Sequence, residues 1–517
     1  MIGLLLLGCA EEPCLEGYER AEDGNCYETP WEPVIPPEVW LRRASLDLTG
    51  QLPSAESLDA VVAQPTRLRR EVRALLADPA HEERLVEVLG EQWHTLVDDF
   101  GIQAMDLGVE EFAYERSAGE EPLRLMAHIG SRDRPWTDIV LADHTMANAT
   151  LAEMWQVERV EGEGWTQGTY VDGRPAAGIL ATNGLFWRYR TTPANANRGR
   201  AAELMKRLVC DDLHARPVSF DIGEGLVTEG ADDAVLSHPT CVSCHVALEP
   251  VAASLFGWYW FEPFSGLEAG TYHPEREPYG EEVLGVEAGW YGQPVDGLSG
   301  LGLAIASDAR FDRCQAQQFT EALWRTTLDP LEDADRLDDV VQAWRADELR
   351  LSGLLETLVM DDAYALAPAR HVAADQLATV VEQLTGFVWT TDGFDLMRTD
   401  TSGFRTLAGG VDGRYVLKPA PEPSLTQALV TKRLAEAAAE YAVRNGTFFT
   451  VATVATTPDA PEFAQQLDAW AWRLTADRAD VDGLTALWTE VATYTDAEDA
   501  WAAVIAASLR DPALVIY

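Results

Sequence analysis

Cys241-Val242-Ser243-Cys244-His245 sets two thiols three residues apart directly ahead of an imidazole. Covalent attachment of a c-type haem requires this spacing: each thiol adds across one haem vinyl, and the adjacent His supplies an axial nitrogen to the iron. Read in this way, the five residues predict a cytochrome c-like haem segment, and the helical spacing of apolar residues elsewhere in the chain makes the expected fold mainly α, with multi-helical modules around that segment. Haem c is then the expected cofactor, with Cys241 and Cys244 as attachment points and His245 as the proximal iron ligand. Other readings stand beside it. A C-x-x-C pair can close a disulfide, or Cys241, Cys244, His245 and His238 can gather around zinc. Structural zinc sites draw on two separated ligand pairs, and a redox pair opens a helix after a strand, which GADDAVLSHPT at 230–240 does not resemble. The aromatic run Phe256-Gly257-Trp258-Tyr259-Trp260-Phe261 is suited to walling an apolar macrocycle or to forming core. Pro250 can end the helix, or it or a neighbour can offer a carbonyl to the proximal ring.

The second axial position decides function, because a Met or His there gives an electron-transfer centre and an open position admits small molecules. Met146, Met154, His273 and Met360 have the right chemistry, while His238 is too near Cys241 in sequence to reach the distal face. With one C-x-x-C-H, no second haem motif and no nucleophile-base pattern, the expectation is a six-coordinate electron carrier or electron-accepting subunit, with a redox protein or surface complex as partner. The alternative is a structural or binding surface lipoprotein in which the C-x-x-C-H region is only stabilising.

The 517 residues leave room for two to four domains. Lys+Arg 39 against Asp+Glu 85 gives a net charge of -46, and Lys206, Lys418 and Lys432 are the only lysines. Such a surface repels a phosphate backbone, which excludes nucleic acid as a partner. At the start, Leu6-Leu7-Gly8-Cys9 after an apolar run resembles a bacterial lipobox with Cys9 lipidated. This predicts an exported protein, periplasmic or at the cell surface, held to the membrane by lipid without spanning it. Four cysteines then remain. Cys14 and Cys26 bracket a short loop with an Asp23-Gly24 turn and are expected to pair, which leaves Cys210 with Cys314, unless these last two are inert buried thiols.

In chain order, residues 1–37 read as lipoprotein signal, tether and small disulfide loop. Residues 38–200 read as an N-terminal helical domain, with Ser54, Ser57 and Thr66 where N-caps are expected. Residues 201–368 form the haem segment and a following helical module, and 369–517 a C-terminal helical domain with a small β-hairpin-rich stretch. In that stretch Gly409-Gly410-Val411-Asp412-Gly413 lacks the ending of a phosphate loop and the spaced acids of a calcium loop, so it reads as a turn or hairpin. Trp470, Trp472, Trp488 and Trp501 read as core.

Several short motifs carry a family resemblance: Arg42-Arg43, Leu46-Asp47-Leu48-Thr49-Gly50, Leu52-Pro53, Asp133-Arg134-Pro135-Trp136, Thr145-Met146-Ala147-Asn148, Gly178-Ile179-Leu180, Asn197-Arg198-Gly199 and Leu208-Val209-Cys210. Together with His238, Cys241, Cys244, His245, Val295-Asp296-Gly297 and Asp308 to Cys314, they resemble large uncharacterised exported proteins of planctomycetes and myxobacteria that carry a planctomycete-type cytochrome c domain. Leu248-Glu249-Pro250 stands in place of that family's usual acidic-Pro pair. The resemblance implies a predominantly helical, periplasmic or surface-facing haem protein, and it brings no settled activity with it.

Overall fold

The computed structural model of the chain describes residues 18–20, 26–28, 33–101, 110–155, 157–216, 238–258, 270–420 and 422–517. Cys9, Cys14 and the side chain of Cys26 lie outside the described residues, and with them the lipidation and the Cys14–Cys26 pair.

The fold is mainly helical, and local signals set its first turns. Pro36 precedes the helix Pro37–Thr49, with Pro37 at its first position, and Gly50 ends it in the left-handed conformation with its N–H donating to the Leu46 carbonyl. Ser54 accepts the Ser57 N–H to open Ala55–Ala63, and Asp78 accepts the Ala80 N–H to open Pro79–Trp93. Ser57 and Thr66 are not N-caps: Ser57 lies inside the helix that Ser54 opens, and Thr66 lies in the short 3-10 turn Pro65–Arg67.

The β structure is distributed differently from expectation. Among the described residues the largest sheet is in the N-terminal half, where Thr145–Ala147 and Val157–Arg159 both pair antiparallel with Thr166–Tyr170. The C-terminal stretch holds one hairpin, Thr390–Thr391 against Phe394–Asp395, closed by Asp392-Gly393 with positive φ at both residues. The Gly409 to Gly413 segment is a turn in which the Asp412 carboxylate accepts the N–H groups of Arg414, Tyr415 and Val416.

One apolar cluster runs from Trp40 to Tyr364 and Ala365 and takes in residues on both sides of position 200, so the 38–200 and 201–368 segments share a core. A second gathers Val372 to Tyr517, including Trp470, Trp488 and Trp501, and recruits Leu46 and Leu52. Trp472 packs at the edge of the first. The two clusters meet at the helix Pro37–Thr49. Its Asp47 accepts from the hydroxyls of Tyr364 (2.8 Å) and Tyr517 (2.7 Å) and pairs with Arg325 (3.0 Å) and Arg370 (3.2 Å). Arg42 donates to the Leu474 carbonyl, and Arg43 donates to the carbonyls of Tyr364, Ala365 and Ala367.

Candidate functional site

The two thiols and the imidazole stand on one regular helix, Pro239–Ala253. Pro239 suits the first turn, and the His238 carbonyl accepts the first N–H groups, those of Cys241 and Val242. At about 100° per residue, Cys241, Cys244 and His245 fall within roughly a quarter of the helix circumference. Both thiols are free and half-buried, so the structure holds no disulfide between them. Pro250 does not end the helix, which runs on for three more residues.

The ring of His245 is held by a carboxylate, where sequence reasoning looked for a backbone carbonyl. Glu249, one helical turn on, accepts from His245 Nδ1. Glu249 is 1% exposed, and the same Oε1 accepts from Arg198 Nε at 2.6 Å. Burial works to raise the Glu249 carboxyl, but the hydrogen bonds from His245 and Arg198 outweigh it and hold the group below the usual carboxylate range. The arrangement fixes which nitrogen of His245 is engaged within the protein and leaves Nε2 as the ring's remaining ligand atom. Two thiols and such an imidazole on one face fit a c-type haem. Among the described residues no group of three or more His, Cys, Asp or Glu side chains forms a metal cluster.

Neighbouring elements brace this helix. It packs on Arg198–Val209, on Tyr279–Leu284 and on the strand Gly289–Trp290. Gly280 lies so close that a Cβ there would meet the Ala253 carbonyl oxygen at 2.3 Å. The helix Arg198–Val209 ends at Cys210, which is joined to Cys314 of Ala309–Trp324 by a disulfide with an S–S distance of 2.08 Å. Arg216 reaches the Ser243 carbonyl at 3.2 Å while pairing with Asp211. Phe256, Gly257 and Trp258 are core: Trp258 stacks on Phe186 with centroids 4.9 Å apart and donates to the Leu180 carbonyl. Residues 259–261 of that aromatic run lie outside the described residues.

The distal candidates are dispersed. Met146 is buried in Thr145–Ala147, and Met154 belongs to the cluster of Tyr114, Trp155 and Trp187. Met360 ends the helix Leu351–Val359, partly buried against the larger core. His273 is tied to the turn Phe256–Trp258: its N–H donates to the Gly257 carbonyl, Nδ1 meets Glu275 at 3.0 Å, and Nε2 is buried with no hydrogen-bond partner among the described residues. His238 likewise has a buried Nδ1 without a partner. Glu249 and Arg198 are the site residues that sequence reasoning missed. The His245-x-x-x-Glu249 spacing was visible as an i,i+4 pair, whereas Arg198 arrives from 51 residues upstream.

Residues 26–104 match the model of a family described as PSCyt2, protein of unknown function (DUF1549). In coarse terms that description fits the planctomycete-type family that the sequence resembles, and the match covers the N-terminal helices. No curated protein and no solved structure matches the chain. Among the described residues no helix is long and apolar enough to cross a membrane.

Proposed function

We propose that this chain is an exported c-type haem protein that passes single electrons, as a carrier or as the electron-accepting subunit of a surface complex, and that lipid on Cys9 anchors it. The observation that carries the reading is the shared face of Cys241, Cys244 and His245, with His245 Nδ1 engaged by a buried, ion-paired Glu249. Haem c held by these residues would supply a one-electron ferric/ferrous couple. The chain's own contribution is orientation and charge. Glu249 fixes the imidazole and enriches its Nε2, and Arg198 keeps Glu249 ionised in a buried position. Among Met146, Met154, His273 and Met360 as distal ligands, His273 ranks first because its backbone is tied to Gly257 in the Phe256–Trp258 turn after the Cys241 helix and its Nε2 has no hydrogen-bond partner among the described residues. The electron partner is a redox protein or surface complex.

Spectroelectrochemical titration of protein made alongside haem-maturation machinery tests the function. The account predicts one reversible one-electron wave and a low-spin ferric spectrum. A high-spin ferric form whose ferrous state binds carbon monoxide readily would overturn electron transfer in favour of small-molecule binding or catalysis.

A further inference from the structure

A second site lies where the segment after the helix Pro79–Trp93 meets the Gly409 to Gly413 turn. The turn is pressed onto that segment: a Cβ at Gly413 would meet the carbonyl oxygens of Leu96 and His94 at 2.9 and 3.0 Å. Between them and the end of the helix Asn183–Arg188 is a cavity of ≈ 160 Å³. Phe100 and Trp187, edge to face with centroids 5.6 Å apart, give it an apolar floor. Arg188, Arg190, Arg414 and Asp99 line it as well.

Main-chain carbonyls, and not carboxylates, hold the three arginines. Arg188 Nε donates to the carbonyls of His94 (3.0 Å) and Gly413 (2.7 Å), Arg190 to that of Phe100, and Arg414 Nη1 to that of Asp99 at 3.1 Å. Among the described residues none of the three forms an ion pair. A guanidinium carries five N–H donors, so each keeps several unused. Arg190 and Arg414 are exposed and Arg188 is half-buried, which leaves those donors open to solvent. The nearby acids are engaged from behind: Asp99 Oδ1 accepts the Gly101 N–H at 2.6 Å, and the buried Glu115 accepts the Phe100 N–H at 2.8 Å. Two groups register the excess of positive charge. Burial and then the charge of Arg414 lower the Arg190 pKa, although Glu115 and Asp99 oppose this. Burial and then the charges of Arg207, Arg188 and Lys206 push the His94 ring down to about 4. In a chain of net charge -46, this face is a local inversion of the field.

We propose that this cavity binds one phosphate group, as inorganic phosphate or as the phosphomonoester of a small molecule, with its oxygens accepting from Arg188, Arg190 and Arg414. Three arginines less one aspartate leave two positive charges among the lining residues, against about -1.5 to -2 on a phosphomonoester near pH 7. A carboxylate offers two oxygens, whereas a phosphate offers three or more and can meet three guanidinium forks at once. The volume equals that of roughly five waters, too little for a cofactor-sized ligand. The charge of the whole chain repels an anionic bilayer or a polynucleotide, which leaves small soluble phosphates. The site is independent of the haem reading, since none of its residues belongs to the Pro239–Ala253 helix.

Calorimetric titration of the full chain with inorganic phosphate, glycerol phosphate and acetate at low ionic strength tests the proposal. The expected result is saturable binding of one phosphate per chain, with acetate weaker by about tenfold or more. Glycerol phosphate that binds as well as the free ion assigns the site to an ester, and binding of the free ion alone assigns it to phosphate itself. Arg190→Gln and Arg414→Gln, each removing one charged donor set from the exposed side, are expected to weaken phosphate by about tenfold or more. Lys206→Gln, on the same basic face but outside the cavity, is expected to change it by less than about twofold. Circular dichroism and thermal unfolding confirm that each variant folds. Absence of saturable binding, acetate bound equally well, unchanged affinity in the folded arginine variants, or an equal loss in Lys206→Gln would overturn the proposal.

Discussion

At the scale of single residues, the chemistry turns on Glu249. A neutral carbonyl would orient the His245 ring, but a carboxylate also pushes electron density into it, which stabilises the ferric state of any iron on Nε2. Glu249→Gln keeps an acceptor oxygen and removes the charge. Potentiometry on the haem-loaded protein is expected to show the midpoint potential rising by tens of millivolts, and an unchanged potential would reduce Glu249 to packing. The distal ligand is a separate single-residue question. Exchanging Met146, Met154, His273 and Met360 one at a time is expected to convert the ferric spectrum from low-spin to high-spin in one variant only, with His273→Ala the first to examine. Each variant's absorption spectrum reads this directly.

At the scale of elements, the haem-motif helix is positioned by Arg198–Val209, and the Cys210–Cys314 bond ties that helix to Ala309–Trp324 across a separation of 104 residues. Closing so long a loop restricts the unfolded chain, so replacing both cysteines with Ser is expected to lower stability by about 2–4 kcal/mol in chemical denaturation. A loss near zero would mean that the helices hold each other without the bond. The elements also show which parts of this architecture could be read in advance. Local signals were legible in part: Ser54 opens a helix and the Gly409 to Gly413 segment forms a turn, whereas Ser57 and Thr66 carry the same cap chemistry without being caps. The sheet around Thr166–Tyr170 was not legible, because its strands are three to five residues long and the pairing of Thr145–Ala147 with Thr166–Tyr170 crosses an intervening helix, Ala149–Trp155. Of the site, the thiols and imidazole were legible from spacing, whereas the buried Glu249–Arg198 pair exists only once two distant helices meet.

Across the whole molecule, the motif Arg42-Arg43 with Leu46-Asp47-Leu48 acquires a physical role. It lies within the residues matched by the family model and fastens the N-terminal helices to the 364–370 segment and to the end of the chain. Burial pushes the Asp47 carboxyl up, but Arg370, Arg325 and the hydroxyls of Tyr517 and Tyr364 outweigh it and hold the group down at about 2. A folded value below the unfolded one of 3.8 means that its stabilisation is complete above that value and is lost as pH falls toward 2. The contribution is on the order of 2 kcal/mol. Asp47→Asn removes the counter-charge of the Arg325 side chain, which is buried, and of the partly buried Arg370, so unfolding at neutral pH is expected to show a loss of roughly 3–5 kcal/mol. The variant should also lack Asp47's own share of the parent's decline in stability between pH 4 and pH 2. A variant as stable as the parent at pH 7 would remove Asp47 from this role.

The central claim concerns the covalent bond, and acid-acetone extraction of protein made with haem-maturation machinery tests it most directly. The account predicts that haem stays with the polypeptide, that peptide mass analysis places it on the segment containing Cys241 and Cys244, and that replacing both with Ala abolishes retention. Complete extraction of haem from the parent protein, or none incorporated at all, would contradict it.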